Sequence, residues 1–224
     1  MPPDVVKATR GRDLDHVAWL YDPLIERLSF GRERRFRDKT LEHLALAPGE
    51  RVLDVGCGTG SLTLAIARQL GDRGEVWGID AAPRMIAIAR RKAAVAGLAA
   101  QFVPGVAEEL AFESAGFDVA VNSMFTHHID TDLKQRAFAE MYRILRPGGR
   151  LVTADVDRPT TAAGWLMGWG ARMLLVQKEL VDNLRGDLPA LMTGAGFVNV
   201  KRVDHVYGLV SFFTANKPER GWNN

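Results

Sequence analysis

The chain has 224 residues, 47% hydrophobic and 25% charged, a balance that suits one globular unit with a sizeable core and excludes fibrous or low-complexity builds. A net charge of +2 is too small to demand a nucleic-acid partner, and a single cysteine, Cys57, excludes a disulfide framework or a cysteine-based metal cluster. No apolar run reaches spanning length and no N-terminal stretch reads as a secretion signal, so a reducing cytoplasm is the expected setting.

Residues 1–12 are polar. In DLDHVAWLYDPLIERLSF, residues 13–30, Val17, Leu20, Leu24 and Leu28 recur at helical spacing around a break at Pro23, which predicts one or two capping helices. An N-terminal cap over 1–46 is thus expected on a domain spanning 47–224. FGRERRFRDK, residues 30–39, gathers Arg32, Arg34, Arg35, Arg37 and Lys39, either as a solvated helix face or as a contact for an anionic surface such as lipid headgroups. The helix is expected to continue through TLEHLALAPGE and to stop at Pro48–Gly49.

Val52, Leu53, Asp54 and Val55 then read as a buried parallel strand with an embedded acid. Gly56, Gly58 and Gly60 follow at alternate positions, with Cys57 and Thr59 between them. Glycines at that density let the chain turn sharply and let a ligand lie against the main chain. SLTLAIARQL predicts a helix starting at that turn, and GEVWGID a second strand closed by Asp80, whose carboxylate can accept both hydrogens of a ribose diol. A dinucleotide loop prefers G-x-G-x-x-G, whereas here the spacing is G-x-G-x-G with no lysine for a phosphate. Asp54 would repel a pyrophosphate and suits an ammonium group.

PRMIAIARRKAAVAG, AQFVPG, FDVAVNSMF, TDLKQRAFAEMYRILRPGG and RLVTADV continue as helix, strand, strand, helix and strand, the long helix ending at Pro147–Gly148–Gly149. This alternation predicts parallel βαβ units covered on both faces. In residues 160–186 Trp165, Trp169 and Met173 share one helix face beside Leu166 and Met167, either packed on the sheet edge or forming an apolar lid or a membrane-resting surface. DLPALMTGAGF is a helix ended by Gly196, and VNVKRVDHV and LVSFFTANK are strands joined through Tyr207–Gly208, a link so short that it forces an antiparallel hairpin. The expected fold is therefore an α/β doubly wound, seven-stranded, Rossmann-like sheet, mostly parallel with an antiparallel C-terminal hairpin strand.

Ligands in such sheets bind past the carboxyl ends of the strands, here Gly56–Gly60, Asp80, Gly105–Glu108, Asn122–Phe125 and Asp155–Pro159. Met85, one turn into the helix after Asp80, is a candidate for an adenine face or for core filling. His127 and His128 are the histidines near this edge, readable as a general base or as helix-capping and packing residues. No serine-histidine-aspartate arrangement and no metal-ligand spacing is present.

The loop, Asp54 and Asp80 together resemble the first motif of class I S-adenosylmethionine-dependent methyltransferases. That resemblance implies a loop holding the methionine part and an acid holding the ribose. GVAEELAF resembles their G-D-A-E-x-L-P-F stretch, except that Val106 replaces the residue binding the adenine amine, which leaves that contact to backbone at Ala107 or to Glu108. Asn122-Ser123-Met124-Phe125 lacks the Asn/Asp-Pro-Pro-Tyr turn of enzymes methylating DNA adenine or glutamine. YDPLIERLSFGRERRFR, EMYRILRPGGRLVTADVDRP and GLVSFFTANKP further resemble the ubiquinone/menaquinone biosynthesis methyltransferases. By that resemblance Thr59, Asp80, the Val106–Ala107 pair and Ser123 take cofactor positions, and Tyr21 reaches the methionine end. The chain departs from these enzymes in carrying His127–His128 for an Arg-Asn pair and in its shorter insertion after the fifth strand.

The expected activity is methyl transfer from S-adenosyl-L-methionine to a small, lipophilic, quinone-like or lipid acceptor, with His128, backed by His127, as the base where one is used. Expected cofactor contacts are Tyr21, Asp54, Gly56, Cys57, Gly58, Thr59, Gly60, Asp80, Met85, Val106, Ala107, Glu108, Asn122 and Ser123. A nicotinamide oxidoreductase, an RNA or protein methyltransferase and a non-catalytic cofactor-binding protein are the rival readings; peripheral membrane contact and a homodimer stay open.

Overall fold

A computed structural model describes residues 32–174 and 178–219, so residues 1–31 of the predicted N-terminal cap, Tyr21 among them, lie outside the described residues. Seven strands form one sheet in the order β3-β2-β1-β4-β5-β7-β6. They are β1 (Arg51–Val55), β2 (Glu75–Asp80), β3 (Ala100–Pro104), β4 (Phe117–Ser123), β5 (Leu145–Val156), β6 (Val198–Val206) and β7 (Val210–Asn216). All neighbours from β3 through β5 pair in parallel, and β7 runs antiparallel between β5 and β6. The predicted architecture holds, and the antiparallel tail separates it from an all-parallel dinucleotide sheet. Strand order reverses between β1 and β4, which opens a crevice at their carboxyl ends.

The helices are α1 (Arg32–Leu44), α2 (Ser61–Leu70), α3 (Pro83–Ala96), α4 (Thr131–Ile144), α5 (Ala162–Leu174), α6 (Val181–Arg185) and α7 (Leu188–Gly194). Strand alternation sends Leu53 and Val55 to the face that packs with Leu133, Phe138 and Met141 of α4 and Leu188 and Met192 of α7. Val52, Val119, Val121 and Val152 face the other way, onto Leu44 of α1 and Leu62, Ile66 and Leu70 of α2. Burial on both faces explains why the strands read as apolar runs rather than alternations.

Two predicted helix ends are corrected. α1 stops at Leu44, because Ala45 turns left-handed (φ 47°) and the carbonyls of Leu44 and Ala45 accept from the Arg150 guanidinium. α4 stops at Ile144, five residues before Gly149: Leu145 already pairs with Phe117, and Arg150 rejoins the ladder opposite Val119. Gly148, at φ 80°, lets the intervening chain bulge, and the Lys217 ammonium caps the freed carbonyls of Tyr142 and Leu145. The β6–β7 link is as expected, with Tyr207 (φ 56°) and Gly208 (φ 67°) both left-handed, the geometry that matches strand twist in a two-residue turn.

The basic helix α1 divides its charge. Lys39 pairs with Asp204 of β6, and Arg37 pairs with Glu33 one turn back at 2.7 Å, while Arg34 and Arg35 face outward. The ring of Phe36 meets Phe212 of β7 at 5.3 Å between centroids. α1 is thus a packed helix with a narrow exposed basic edge.

In the segment 160–186, α5 lies on the hairpin at Gly164 and Gly168. A Cβ on Gly164 would stand 2.1 Å from the Gly208 carbonyl oxygen, and one on Gly168 would stand 3.0 Å from Leu209 of the hairpin link and 2.7 Å from Leu184 of α6. The opposite side leaves Trp165 (58% exposed), Leu166 (69%), Met167 (54%) and Met173 (73%) in solvent, whereas Trp169 packs beside Leu184 and Leu209. One face of this helix is therefore packed, as the first reading expects, and the other is exposed. No described helix is long and apolar enough to cross a membrane.

Candidate active site

The turn after β1 is built by three left-handed glycines, two of them hemmed in by an aromatic ring. A Cβ on Gly56 would enter the Phe125 ring at 2.4 Å, and one on Gly60 would meet Phe102 at 2.7 Å. At Gly58 no described atom beyond its chain neighbours lies within 4 Å of that position, so of the three this glycine faces open space. The turn is fixed from β2: the amides of Gly56 and Cys57 donate to the Ile79 carbonyl (2.8 and 3.0 Å), and that of Gly58 donates to Asp80 Oδ2 at 2.8 Å. Ala82 N–H holds Oδ1 at 2.9 Å, so the carboxylate is oriented before any ligand arrives. The Asp80 carbonyl accepts from Gly105 N–H at 3.0 Å, which brings the 105–108 loop alongside. Val106 and Ala107 are buried there, with Glu108 half-buried.

Asp54 lies fully buried beneath the turn and accepts from Thr63 Oγ1 of α2 at 2.6 Å. Burial, with the charge of Asp80 adding to it, pushes its carboxyl up to about 7, and the Thr63 hydroxyl only partly offsets this. Such a group gains from a nearby cation, and an ammonium supplies one. Since the folded carboxyl holds a proton that the unfolded chain has lost between about pH 4 and pH 7, stability falls as pH rises through that window and stays low above it. Asp54→Asn, neutral at every pH, is expected to raise Tm relative to wild type more at pH 8 than at pH 5; equal shifts in thermal unfolding would mean that Asp54 is ionised throughout. Burial, then the charges of Asp54 and Asp80, also push the Cys57 thiol well up, so it stays protonated and acts as a small residue rather than a nucleophile.

Thr59 is buried, with its hydroxyl 3.3 Å from Lys92 Nζ of α3, which also donates to Ser61 Oγ at 2.8 Å. Sequence reading missed Lys92; as one of several basic residues on a helix it gives no local signal. Met85 is buried with Ala82 and Ile88. Ser123 is half-buried at the end of β4. Asn122 is not brought to the crevice by its side chain: it is fully buried, and Nδ2 donates to Thr153 Oγ1 (2.9 Å) and reaches Met141 Sδ (3.5 Å) under α4.

The loop after β4 carries the second cluster. Phe125, whose ring lies on Gly56, leads into a short 3-10 turn, Thr126–His128. His127 Nδ1 lies 2.5 Å from Oδ1 of Asp155, near the end of β5, and the His127 and His128 rings lie 4.0 Å apart. Asp155 is fully buried; Oδ2 accepts from the amides of Phe125 and Thr126 and from Thr126 Oγ1, and Oδ1 from the amide of Val156. Thr126 Oγ1 in turn accepts from Asn183 Nδ2 of α6 at 3.0 Å. Burial alone would raise the Asp155 carboxyl, but the charge and hydrogen bond of His127 and the Thr126 donors outweigh it and hold it below the usual range. Asp130, not a histidine, caps α4, accepting from Leu133 N–H at 2.9 Å.

A family model described as a methyltransferase domain matches residues 52–149. A demethylmenaquinone methyltransferase of Thermus thermophilus is 39% identical over 220 residues, covering 90% of this chain and 98% of that relative. The chain belongs to the class I S-adenosylmethionine-dependent methyltransferases. The ubiquinone/menaquinone biosynthesis C-methyltransferase UbiE of Vibrio campbellii is 36% identical, over 94% of this chain and 89% of its own length. Phosphoethanolamine N-methyltransferase 2 of Haemonchus contortus, solved with S-adenosyl-L-methionine, shares the fold at a TM-score of 0.64 and 19% identity, over 82% of this chain and 52% of that longer one. The methyltransferase cofactor, S-adenosylmethionine, suits what the described residues offer: open space beside Gly58, a preset carboxylate at Asp80 and a buried acid at Asp54 that gains from an ammonium.

Proposed function

We propose that this methyltransferase methylates a small lipophilic acceptor with a quinone-type ring, approached from a membrane surface. The observation that carries the reading is the 39% identity with a demethylmenaquinone methyltransferase across 98% of that relative's length. The bound cofactor supplies an electrophilic methyl group on a sulfonium. The chain's own part is binding and alignment: the Gly56–Gly60 turn and Asp54 receive the amino-acid end, Asp80 accepts from the ribose hydroxyls, and the Val106–Glu108 backbone faces the base. Such positioning is the main source of rate in a displacement that needs no covalent enzyme intermediate.

The open face of α5 supports the lipophilic acceptor. Trp165, Leu166, Met167 and Met173 lie outward where a helix in contact only with water would carry polar groups, and the indole and thioether chains suit an interfacial layer. A labelled-methyl assay tests the reading with a demethylated naphthoquinol offered in two forms, long-tailed in vesicles and tail-free in water. The triple change Leu166→Ser, Met167→Ser, Met173→Ser is expected to cut transfer to the vesicle-borne acceptor about tenfold or more, from lost apolar burial, and to leave the water-soluble one unaffected. Absence of transfer to either form by the wild type removes the quinol reading; an equal loss on both forms removes the membrane approach.

A further inference from the structure

The His127–Asp155 pair has a geometry that cofactor binding does not require. Asp155 is fully buried at the end of β5 and accepts hydrogen bonds from three backbone amides and the Thr126 hydroxyl besides the imidazole. A carboxyl so surrounded by donors is an ionised acceptor, with no proton to offer. The shared hydrogen in the 2.5 Å contact with His127 must then sit on Nδ1. In the neutral ring the lone pair is therefore on Nε2, the far side of the imidazole from Asp155. The side chain keeps 11% of its surface open and sits two residues past Phe125, whose ring lies against Gly56 of the turn after β1.

We propose that His127, held in its Nδ1–H form by Asp155, is the general base of the reaction, with Asp155 as its positioning residue. The role passes to His127 from His128, whose ring lies against it at 4.0 Å. The proposal rests on the quinol reading of the acceptor, since a ring hydroxyl is the proton source. The acceptor O–H bond breaks, its proton goes to Nε2 and its electron pair stays on the acceptor, which becomes nucleophilic at the ring carbon. As that carbon takes the methyl, the pair of the methyl donor's sulfur–carbon bond stays on sulfur. The hydrogen at the methylated carbon then moves to oxygen and restores the aromatic ring, so one proton is lost overall and resides on the imidazole, where the Asp155 charge stabilises it. Asn183, through Thr126, braces the carboxylate from α6.

Two readouts test this, one of them free of any acceptor. Nitrogen-15 NMR of the imidazole, in protein saturated with S-adenosylhomocysteine, is expected to show the neutral His127 ring protonated at Nδ1. In Asp155→Asn the amide donates instead and the proton is expected on Nε2. An Nε2–H ring in the wild type overturns the proposal, whatever the acceptor proves to be. In single-turnover transfer to the naphthoquinol, His127→Gln and Asp155→Asn are each expected to slow the methyl step about 10²–10⁴-fold, with S-adenosylmethionine affinity within twofold. Two titratable groups meet His127 directly, Asp155 through its carboxylate and His128 through its ring. The rate of the wild type is expected to rise with pH on a one-proton limb that His127→Gln abolishes and imidazole in His127→Gly restores. A His127→Gln enzyme keeping that limb and its rate within threefold, or a loss confined to His128→Gln, also overturns it. A wild type inactive on the naphthoquinol but carrying the Nδ1–H ring that Asp155→Asn inverts refutes the acceptor reading and leaves the dyad standing.

Discussion

Replacing Asp80 by alanine is expected to weaken S-adenosylhomocysteine binding by about 100-fold or more in titration calorimetry. A ribose diol would give this carboxylate two charge-assisted hydrogen bonds, each worth about 1.5–3 kcal/mol, and the lower figures already sum to that ratio. A second loss adds to the first. Asp80 also accepts from the amides of Gly58 and Ala82, so its removal frees the turn after β1. Asp80→Asn is the milder change: it keeps the shape of the side chain and one of the two amide contacts, and loses the charge and the other contact. It should fall between wild type and alanine. Unchanged affinity in Asp80→Ala would take the residue out of the cofactor site.

The second large effect lies away from the crevice. Lys134 of α4 is fully buried, donating to the Glu179 carbonyl at 2.6 Å and to Asp182 Oδ2 at 3.1 Å, where Thr131 Oγ1 also donates at 2.7 Å. One ammonium therefore ties the long helix to the segment that carries Asn183 and, through it, Thr126 and Asp155. Lys134→Met keeps most of the volume but takes the ammonium from the Glu179 carbonyl and leaves the Asp182 carboxylate with Thr131 Oγ1 as its remaining donor of the two. Breaking a buried pair costs about 3–5 kcal/mol; Asp182 can still turn to water, so about 2–3 kcal/mol is expected, or a Tm lower by roughly 5–10 °C. In Lys134→Met with Asp182→Asn the losses should be less than additive, because the second change removes the charge that the first strands. Additive losses in thermal unfolding would show that Lys134 acts through packing alone.

The order of strands and helices was readable because each element carries its own signal. Val52–Val55 and Phe117–Ser123 are apolar runs of strand length, and the short Tyr207–Gly208 link dictates an antiparallel hairpin. Where a tertiary partner set the boundary, the reading failed. The end of α1 answers to Arg150, over a hundred positions along, and that of α4 to pairing of Leu145 with Phe117 and to Lys217. Asn122 shows the same limit at a single residue: strand position placed it at the crevice, but alternation turned its side chain under α4.

For the site, the sequence by itself placed the turn, Asp54 and Asp80 together, because spacing along one strand–turn–helix–strand unit fixes their neighbourhood. It also placed the two histidines and Asp155 at strand ends. Only the tertiary structure shows which histidine meets Asp155, since that partner comes from a different strand, 28 residues on, and its donors, acting against burial, hold its carboxyl below the usual range. Likewise, the sequence showed an apolar helix after β5, while the close approach of Gly164 and Gly168 to the hairpin decided which of its faces meets solvent. Local spacing specifies backbone shape; long-range contact and desolvation specify the chemistry of the groups it carries.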